Sequence, residues 1–367
     1  MIESIRFRSV LAFDEKVKEE FISEIWGGVI DRWKVYITPE IESRIEMEID
    51  TFEQIEGYME YLYFVWQVVM GTDFFVMPYR TLAHASAVCY ALCITEVDPI
   101  RLELDFNRFI PTDKPRFTEI GIATNATALQ IQTEIMNLDF NEKRERLGER
   151  ELDNKAPALT IYPSHRTAQL LGYLNEVVNC AHIPFNDPAT FHTLLHTEDL
   201  TGIYGCNPNT DLQEYLQQAK PQFEDLIPLC SDNLPAHDVF LHRKYNIASN
   251  TKFAPEIESI LTETCGGILY DEQVYAIAAL VGYTPSEAEQ LRKMLVLHKK
   301  HEYNIHRNRF SKYKGVFSKL IKDGGWTYPK AYLAEVARLL YTTAYFKTHV
   351  PEEYTHAALC VAASEDY

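Results

Sequence analysis

The sequence predicts an α+β protein, with a small sheet set among many helices. Three observations predict it. Between Glu40 and about Met70 the apolar residues Ile41, Ile45, Phe52, Ile55, Met59, Leu62 and Val65 recur at helical spacing, which lines them up on one face. Arg116 to Ala123 reads as a short strand. From Thr284 onward, helix start and stop signals follow one another in close order.

Taken along the chain, residues 1–44 read as a lead segment and the Glu40–Met70 stretch as helix. Met77 to Ile94 is rich in small and apolar residues and reads as a buried helix, broken by Asp98-Pro99. After the strand, residues 127–152 are charged with mixed signs, which predicts a helix with a solvated face. Pro184, Asp187 and Pro188 mark a boundary. Thr284-Pro285-Ser286-Glu287 supplies an N-cap, a proline at the first helical position and a capping-box acid, so a helix is expected through roughly Lys300. Asp323-Gly324-Gly325 ends the next helix. Pro329 opens another with Leu333, Val336, Leu340 and Ala344 on one face, and Val350-Pro351 closes that helix and starts the last. Residues 255–367 are expected to form an all-helical unit.

Composition narrows the function classes. At 367 residues the chain has room for two or three domains. The longest apolar runs, such as Leu62 to Met70, are too short and interrupted to span a bilayer, so no membrane partner is expected. Met1 to Val10 carries Glu3, Arg6 and Arg8 without an apolar core, so no secretory signal is expected. Seven cysteines include no C-x-x-C pair, which predicts neither a disulfide framework nor a structural zinc site and points to the cytoplasm. The net charge of −18 is unusual for a chain that grips nucleic acid, yet it is uneven. Between Arg292 and Lys314 eight Lys or Arg stand against one acid, a local +7, while the remainder carries −25. The basic stretch is a candidate DNA contact and the acidic remainder a candidate surface for a protein partner.

Three segments resemble a known family: Tyr90 to Phe109 (YALCITEVDPIRLELDFNRF), Asp187 to Ile227 (beginning DPATFHTLLHTEDLTGIYG and ending in FEDLI) and Ile260 to Lys300 (ILTETCGGILYDEQVYAIAALVGYTPSEAEQLRKMLVLHKK). They are similar to the bacterial DNA polymerase III alpha subunit, a C-family DNA polymerase, in the family's own order. The tail TTAYFKTHVPEEYTHAAL continues the similarity. The resemblance implies a nucleotidyltransferase-type palm with a small mixed sheet (residues 45–126 and 187–254), a reduced thumb (127–186) and helical fingers (255–367). It also implies a shortened chain, without the family's phosphoesterase-like, clamp-binding, helix-hairpin-helix and oligonucleotide-binding domains.

The resemblance fails where the chemistry would be. Phosphoryl transfer by two metal ions needs carboxylate oxygens to hold hard divalent cations, and the family supplies them from a P-D-x-D-x-D run and a later aspartate. Counted without gaps from Tyr90, the first two catalytic positions fall on Glu119 and Gly121, and the last Asp of the run on Ala123. The third catalytic aspartate is replaced by His242, followed by Arg243-Lys244. The family's G-R-G-S-x-A-G-S nucleotide loop is Tyr79-Arg80-Thr81-Leu82-Ala83-His84-Ala85-Ser86, in which only Arg80 and Ser86 match. Every glycine that would let backbone amides approach a triphosphate is absent.

These departures predict a catalytically inactive relative that needs no cofactor and acts by binding. The candidate nucleic-acid contacts are Arg243, Lys244, Arg292, Lys293, Lys299, Lys300, Arg307 and Arg309, with Tyr303, Phe310 and Tyr313 interleaved as rings to stack on bases. The alternative is an active magnesium-dependent nucleotidyltransferase with rearranged ligands, Glu119 beside Asp105 or Asp113. The pairs His192/His196 and His298/His301 have metal-compatible spacing on a helix but no evident third ligand. No other catalytic motif stands out.

Overall fold

The computed structural model of the chain describes residues 5–7, 13–137, 159–180, 183–196, 200, 202–205, 221–231, 240, 253–313 and 315–363. Two compact units emerge: Met1–Ile183 together with His349–Tyr367, and Pro184–Thr348.

The first unit holds a four-stranded mixed sheet built from β1 (Ile5–Phe7), β2 (Val76–Pro78), β3 (Gly121–Thr124) and β4 (Leu159–Tyr162) in the order β1-β4-β3-β2. β3 runs parallel to β4, while β1 and β2 run antiparallel to their neighbours. All four residues of β3 are buried, as expected of an inner strand. Pro78 lies on β2, an edge strand, where its missing N–H costs no ladder bond on the outer side. The expected strand is thus present, shifted toward the end of the Arg116–Ala123 stretch. The α+β class holds.

Helices pack around this sheet. Helix α1 (Glu15–Trp33) starts at Asp14, whose Oδ1 accepts the Val17 N–H at 2.9 Å, and buries Phe21, Ile25, Val29 and Trp33 at four-residue spacing. The lead segment therefore belongs to the core of the unit. The single run expected from Glu40 to Met70 is two helices, α2 (Pro39–Glu53) and α3 (Tyr58–Gly71), parted at Gly57 with φ of +72°. The buried helix expected over Met77–Ile94 is also a correction. Those residues give β2, a turn, and a five-residue helix α4 (Ala87–Ala91). Pro78 and the left-handed φ of Arg80 (+51°) prevent a continuous helix there. Helix α1 meets α4 at Gly28, where a Cβ would come within 2.2 Å of the Ala91 carbonyl oxygen. Of the helix expected over 127–152, α5 (Ala128–Asn137) is seen; residues 138–158 lie outside the described residues. Helix α6 (Arg166–Asn175) packs against the last helix, Pro351–Ala363. That last helix therefore joins the first unit.

The second unit is helical. Its principal helices are Asp271–Leu280, Pro285–Val296, Val316–Asp323 and Lys330–His349. The capping box is formed as the sequence predicts: Thr284 Oγ1 accepts the Glu287 N–H, and Glu287 Oε2 accepts the Thr284 N–H at 2.9 Å. The helix ends at Val296, short of Lys300, because His298 takes a left-handed φ of +48°. Among the described residues no helix is long and apolar enough to cross a membrane.

Candidate functional site

Two tyrosines of α3 fix the entry to β3. Tyr58 Oη donates to the Thr118 carbonyl at 3.1 Å, and Tyr61 Oη accepts the Ile120 N–H at 2.6 Å. Glu119, between these tied residues, is exposed. At Gly121 the backbone of the Tyr79–Ser86 loop lies directly against the strand. The Tyr79 N–H donates to the Gly121 carbonyl at 2.9 Å, and a Cβ on Gly121 would stand 2.3 Å from the Tyr79 carbonyl oxygen. Real side chains do not tolerate that approach, so only glycine fits while the loop sits there. Ala123 is buried, paired with Met77 and Tyr162. His242, Arg243 and Lys244 lie outside the described residues.

The Tyr79–Ser86 loop has turned inward. Thr81, Ala83, His84, Ala85 and Ser86 are all buried. Ser86 Oγ donates to Glu48 Oε2 at 2.6 Å and caps α4 by accepting the Cys89 N–H at 3.1 Å. Glu48 also accepts the Ala87 and Val88 amides at 2.9 and 3.0 Å, and Arg44 Nε at 2.6 Å. Ser86 thus serves the fold, and an internal carboxylate takes the amides that this helix start offers to an anion. Burial, the largest influence, pushes the Glu48 carboxyl above its ordinary value against the pull of Arg44 and Ser86.

Arg80, the other matching loop residue, stays exposed. Its guanidinium lies 5.4 Å from the ring centre of Tyr79 and 5.5 Å from that of Tyr162. Tyr79 in turn packs on Tyr162 and on His165. Burial first, and Arg80 second, hold the His165 imidazole below its ordinary value.

The rearranged-ligand alternative draws no geometric support. Asp105 accepts the backbone N–H and the side-chain amide of Asn107, each at 3.0 Å, and so caps a turn. Among the described residues no group of three or more His, Cys, Asp or Glu side chains is placed to hold a metal ion. His192 and His196 do face each other, with ring centres 4.6 Å apart, but as a pair.

In the second unit the structure corrects the stacking rings. Phe310 and Tyr313 are buried in the hydrophobic core, and Tyr303 packs against it. They reach it from different elements: Phe310 closes a 3-10 turn, Tyr313 lies in the bend after it, and Phe317 is on the helix that starts at Val316. The cations divide. Arg292 is held inside by Asp271 at 3.5 Å and Glu289 at 3.0 Å, and serves the fold. Arg309 pairs with Glu287 at 2.8 Å and lies over the Tyr283 ring. Lys293 and Lys299 make exposed pairs with Glu289 and Glu302, which are weak enough for phosphate to displace. Lys300 and Arg307 are exposed and form no ion pair among the described residues.

Glu289 yields a test of this packing. Burial works to raise its pKa, but Arg292, Tyr275 and Lys293 outweigh burial and lower it from 4.5 to about 2. A depressed carboxylate pKa stabilises the fold above the unfolded value, and that contribution is lost as pH falls through the folded one. Stability of the second unit is therefore expected to drop between pH 4.5 and about 2. Glu289→Gln should be less stable at pH 7 and converge on the parent in that window. Parallel stability curves in urea for both proteins across this pH range would contradict it.

Comparison with known proteins finds two family models in separate stretches. The bacterial DNA polymerase III alpha NTPase domain matches residues 19–142, and the bacterial DNA polymerase III alpha subunit finger domain matches residues 165–315. The chain is 28% identical over 208 residues to an error-prone DNA polymerase of Pseudomonas fluorescens, an overlap of 51% of this chain and 20% of that protein. It is 25% identical over 259 residues to the DNA polymerase III subunit alpha of Staphylococcus epidermidis, covering 66% of this chain and 24% of the relative. Against the DNA polymerase III subunit alpha of Pseudomonas aeruginosa it is 30% identical over 208 residues, covering 50% and 18%. The match thus spans a quarter or less of the length of each of these relatives.

Proposed function

Because the chain belongs to the bacterial DNA polymerase III alpha-like family, we propose that it is a non-catalytic member that binds DNA through its helical second unit. On this reading the first unit is a nucleotidyltransferase-type palm kept for its packing, accompanied by a reduced thumb and helical fingers in the cytoplasm. The observation that carries the proposal is Gly121, where the second metal-binding carboxylate would stand and where the Tyr79 carbonyl leaves no room for any side chain. The described residues do not fit a pair of magnesium ions. At the two described ligand positions one carboxylate, Glu119, is present. Two ions some 3.5–4 Å apart need several shared oxygens. The Thr81–Ser86 stretch, buried and bonded to Glu48, supports the same reading for the nucleotide.

DNA binding is supported by Lys293, Lys299, Lys300 and Arg307, which stand exposed within the stretch from Lys293 to Arg307 of the second unit. The exposed faces of α1 and α2 have the opposite character, carrying Glu19, Glu24, Asp31, Glu42, Glu46 and Asp50. They suit a basic protein partner, and DNA-independent capture of one would favour that second reading.

The test is primer extension with all four nucleotides and either magnesium or manganese, beside a binding titration of the same primer–template. The expected result is no incorporation together with DNA affinity that falls steeply with salt. Magnesium-dependent incorporation that disappears in Glu119→Ala would instead make this chain an enzyme with rebuilt ligands.

A further inference from the structure

The second unit presents one exposed indole. Trp326 is 51% exposed at the end of the Gly324–Trp326 turn. Its ring centre lies 5.8 Å from that of His298. Gly325 allows the two segments to meet, since a Cβ there would come within 2.7 Å of His298 Cε1 and 3.0 Å of the Leu295 carbonyl oxygen. His298 itself holds a left-handed backbone, φ +48°, which costs a residue with a side chain on the order of 1 kcal/mol. The chain thus accepts local strain and a close approach, and keeps an indole in water that would gain by burial. Lys299 and Lys300 follow His298 directly and are exposed. An indole and an imidazole therefore meet here, and the next two residues after the imidazole are exposed lysines, Lys299 in a surface pair with Glu302.

We propose that this spot takes an unpaired base of single-stranded DNA, with the base stacked on Trp326 and the flanking phosphates on Lys299 and Lys300. The inference rests on the reading of the second unit as a DNA-binding body and names its ligand more narrowly. Bases within a duplex are already stacked on both faces, so an indole on an open surface is open to an unpaired base. The exposed lysines that follow His298 in the chain suit the phosphates that such a strand carries. The rings first expected to stack, Phe310 and Tyr313, are in the core, and Trp326 takes that place from 13 residues beyond Tyr313.

The experiment titrates the intact protein with a labelled oligothymidylate at low salt, reading anisotropy and tryptophan fluorescence together. Binding with quenching is expected. Trp326→Phe should lose most of the quenching while keeping affinity, which assigns the signal among the four tryptophans. Trp326→Ala should bind about tenfold more weakly, the range for losing one stacked base. Substituting Lys299 and Lys300 by alanine should lower the slope of log affinity against log salt by about 1.4, for two phosphate contacts on a single strand. If the parent binds and Trp326→Ala binds equally well with unchanged quenching, this inference is overturned while the DNA-binding reading stands. Equal Trp326 dependence with oligouridylate overturns the restriction to DNA. No binding by the parent at about 50 mM salt removes the DNA-binding reading itself, and this inference with it.

Discussion

Replacing Glu48 with alanine is expected to cost the first unit about 3–5 kcal/mol, the range for removing one partner of a buried ion pair. Glu48 is fully buried, and four donors converge on its carboxylate: Arg44 Nε, the Ser86 hydroxyl and the Ala87 and Val88 amides. Deleting it strands the start of α4 and leaves the guanidinium with its remaining acceptors, the Ala85 and Leu104 carbonyls at 2.8 and 3.2 Å. Each buried donor left unpaired costs on the order of 1–3 kcal/mol. Glu48→Gln keeps the shape and one acceptor oxygen, so it should lose clearly less than alanine. Urea unfolding monitored on the first unit, with all three proteins side by side, checks the ranking. A loss below about 1 kcal/mol for alanine would mean that the donors find water instead, and that Ser86 is not held in place by this carboxylate.

Much of the architecture was legible because it is written in local patterns. The Thr284 capping box and the helix that follows need only residues three or four apart, and β3 follows from a short strand signal, whereas β2 with Pro78 falls in a stretch that reads as helix. What was not legible is what joins distant residues. Glu48 reads as one more acid on a helix, and only the fold carries it to Ser86, 38 positions away. The sequence also shows that the loop glycines are gone without showing where the replacements go. Of these positions Thr81 and Ala85 are buried, while Tyr79 is half-buried against Tyr162 and His165. The error over Phe310 and Tyr313 had a usable signal. Large apolar rings favour the core by default, whereas interleaving with cations says nothing of which side a ring faces. Trp326 was missed because it falls outside the basic segment and is brought to it by the packing of Gly325 on His298. That Gly121 carries no carboxylate was legible, but the Tyr79 carbonyl oxygen 2.3 Å from where its Cβ would stand was not.

That carbonyl leaves no room for a side chain at Gly121. Gly121→Asp is expected to destabilise the first unit by about 2–4 kcal/mol without creating metal-dependent incorporation. The new Cβ would lie 2.3 Å from the Tyr79 carbonyl oxygen, so the loop must retreat. The retreat breaks the 2.9 Å bond from the Tyr79 N–H to the Gly121 carbonyl, which extends the pairing of β2 with β3. It also disturbs the packing of Tyr79 on Tyr162 and His165. The carboxylate itself would set its charge against the Tyr79 carbonyl oxygen, which repels it. Gly121→Ala separates the two effects, because it carries the steric term alone and should reproduce the larger part of the loss. The decisive readout is the melting temperature of Gly121→Asp with and without millimolar magnesium, run beside primer extension. A ligand site regained would bind the ion in the folded state only and raise the melting temperature. The expected result is no shift and no extension. A magnesium-dependent rise accompanied by incorporation would mean that the loop yields easily and that one substitution separates this chain from an active enzyme.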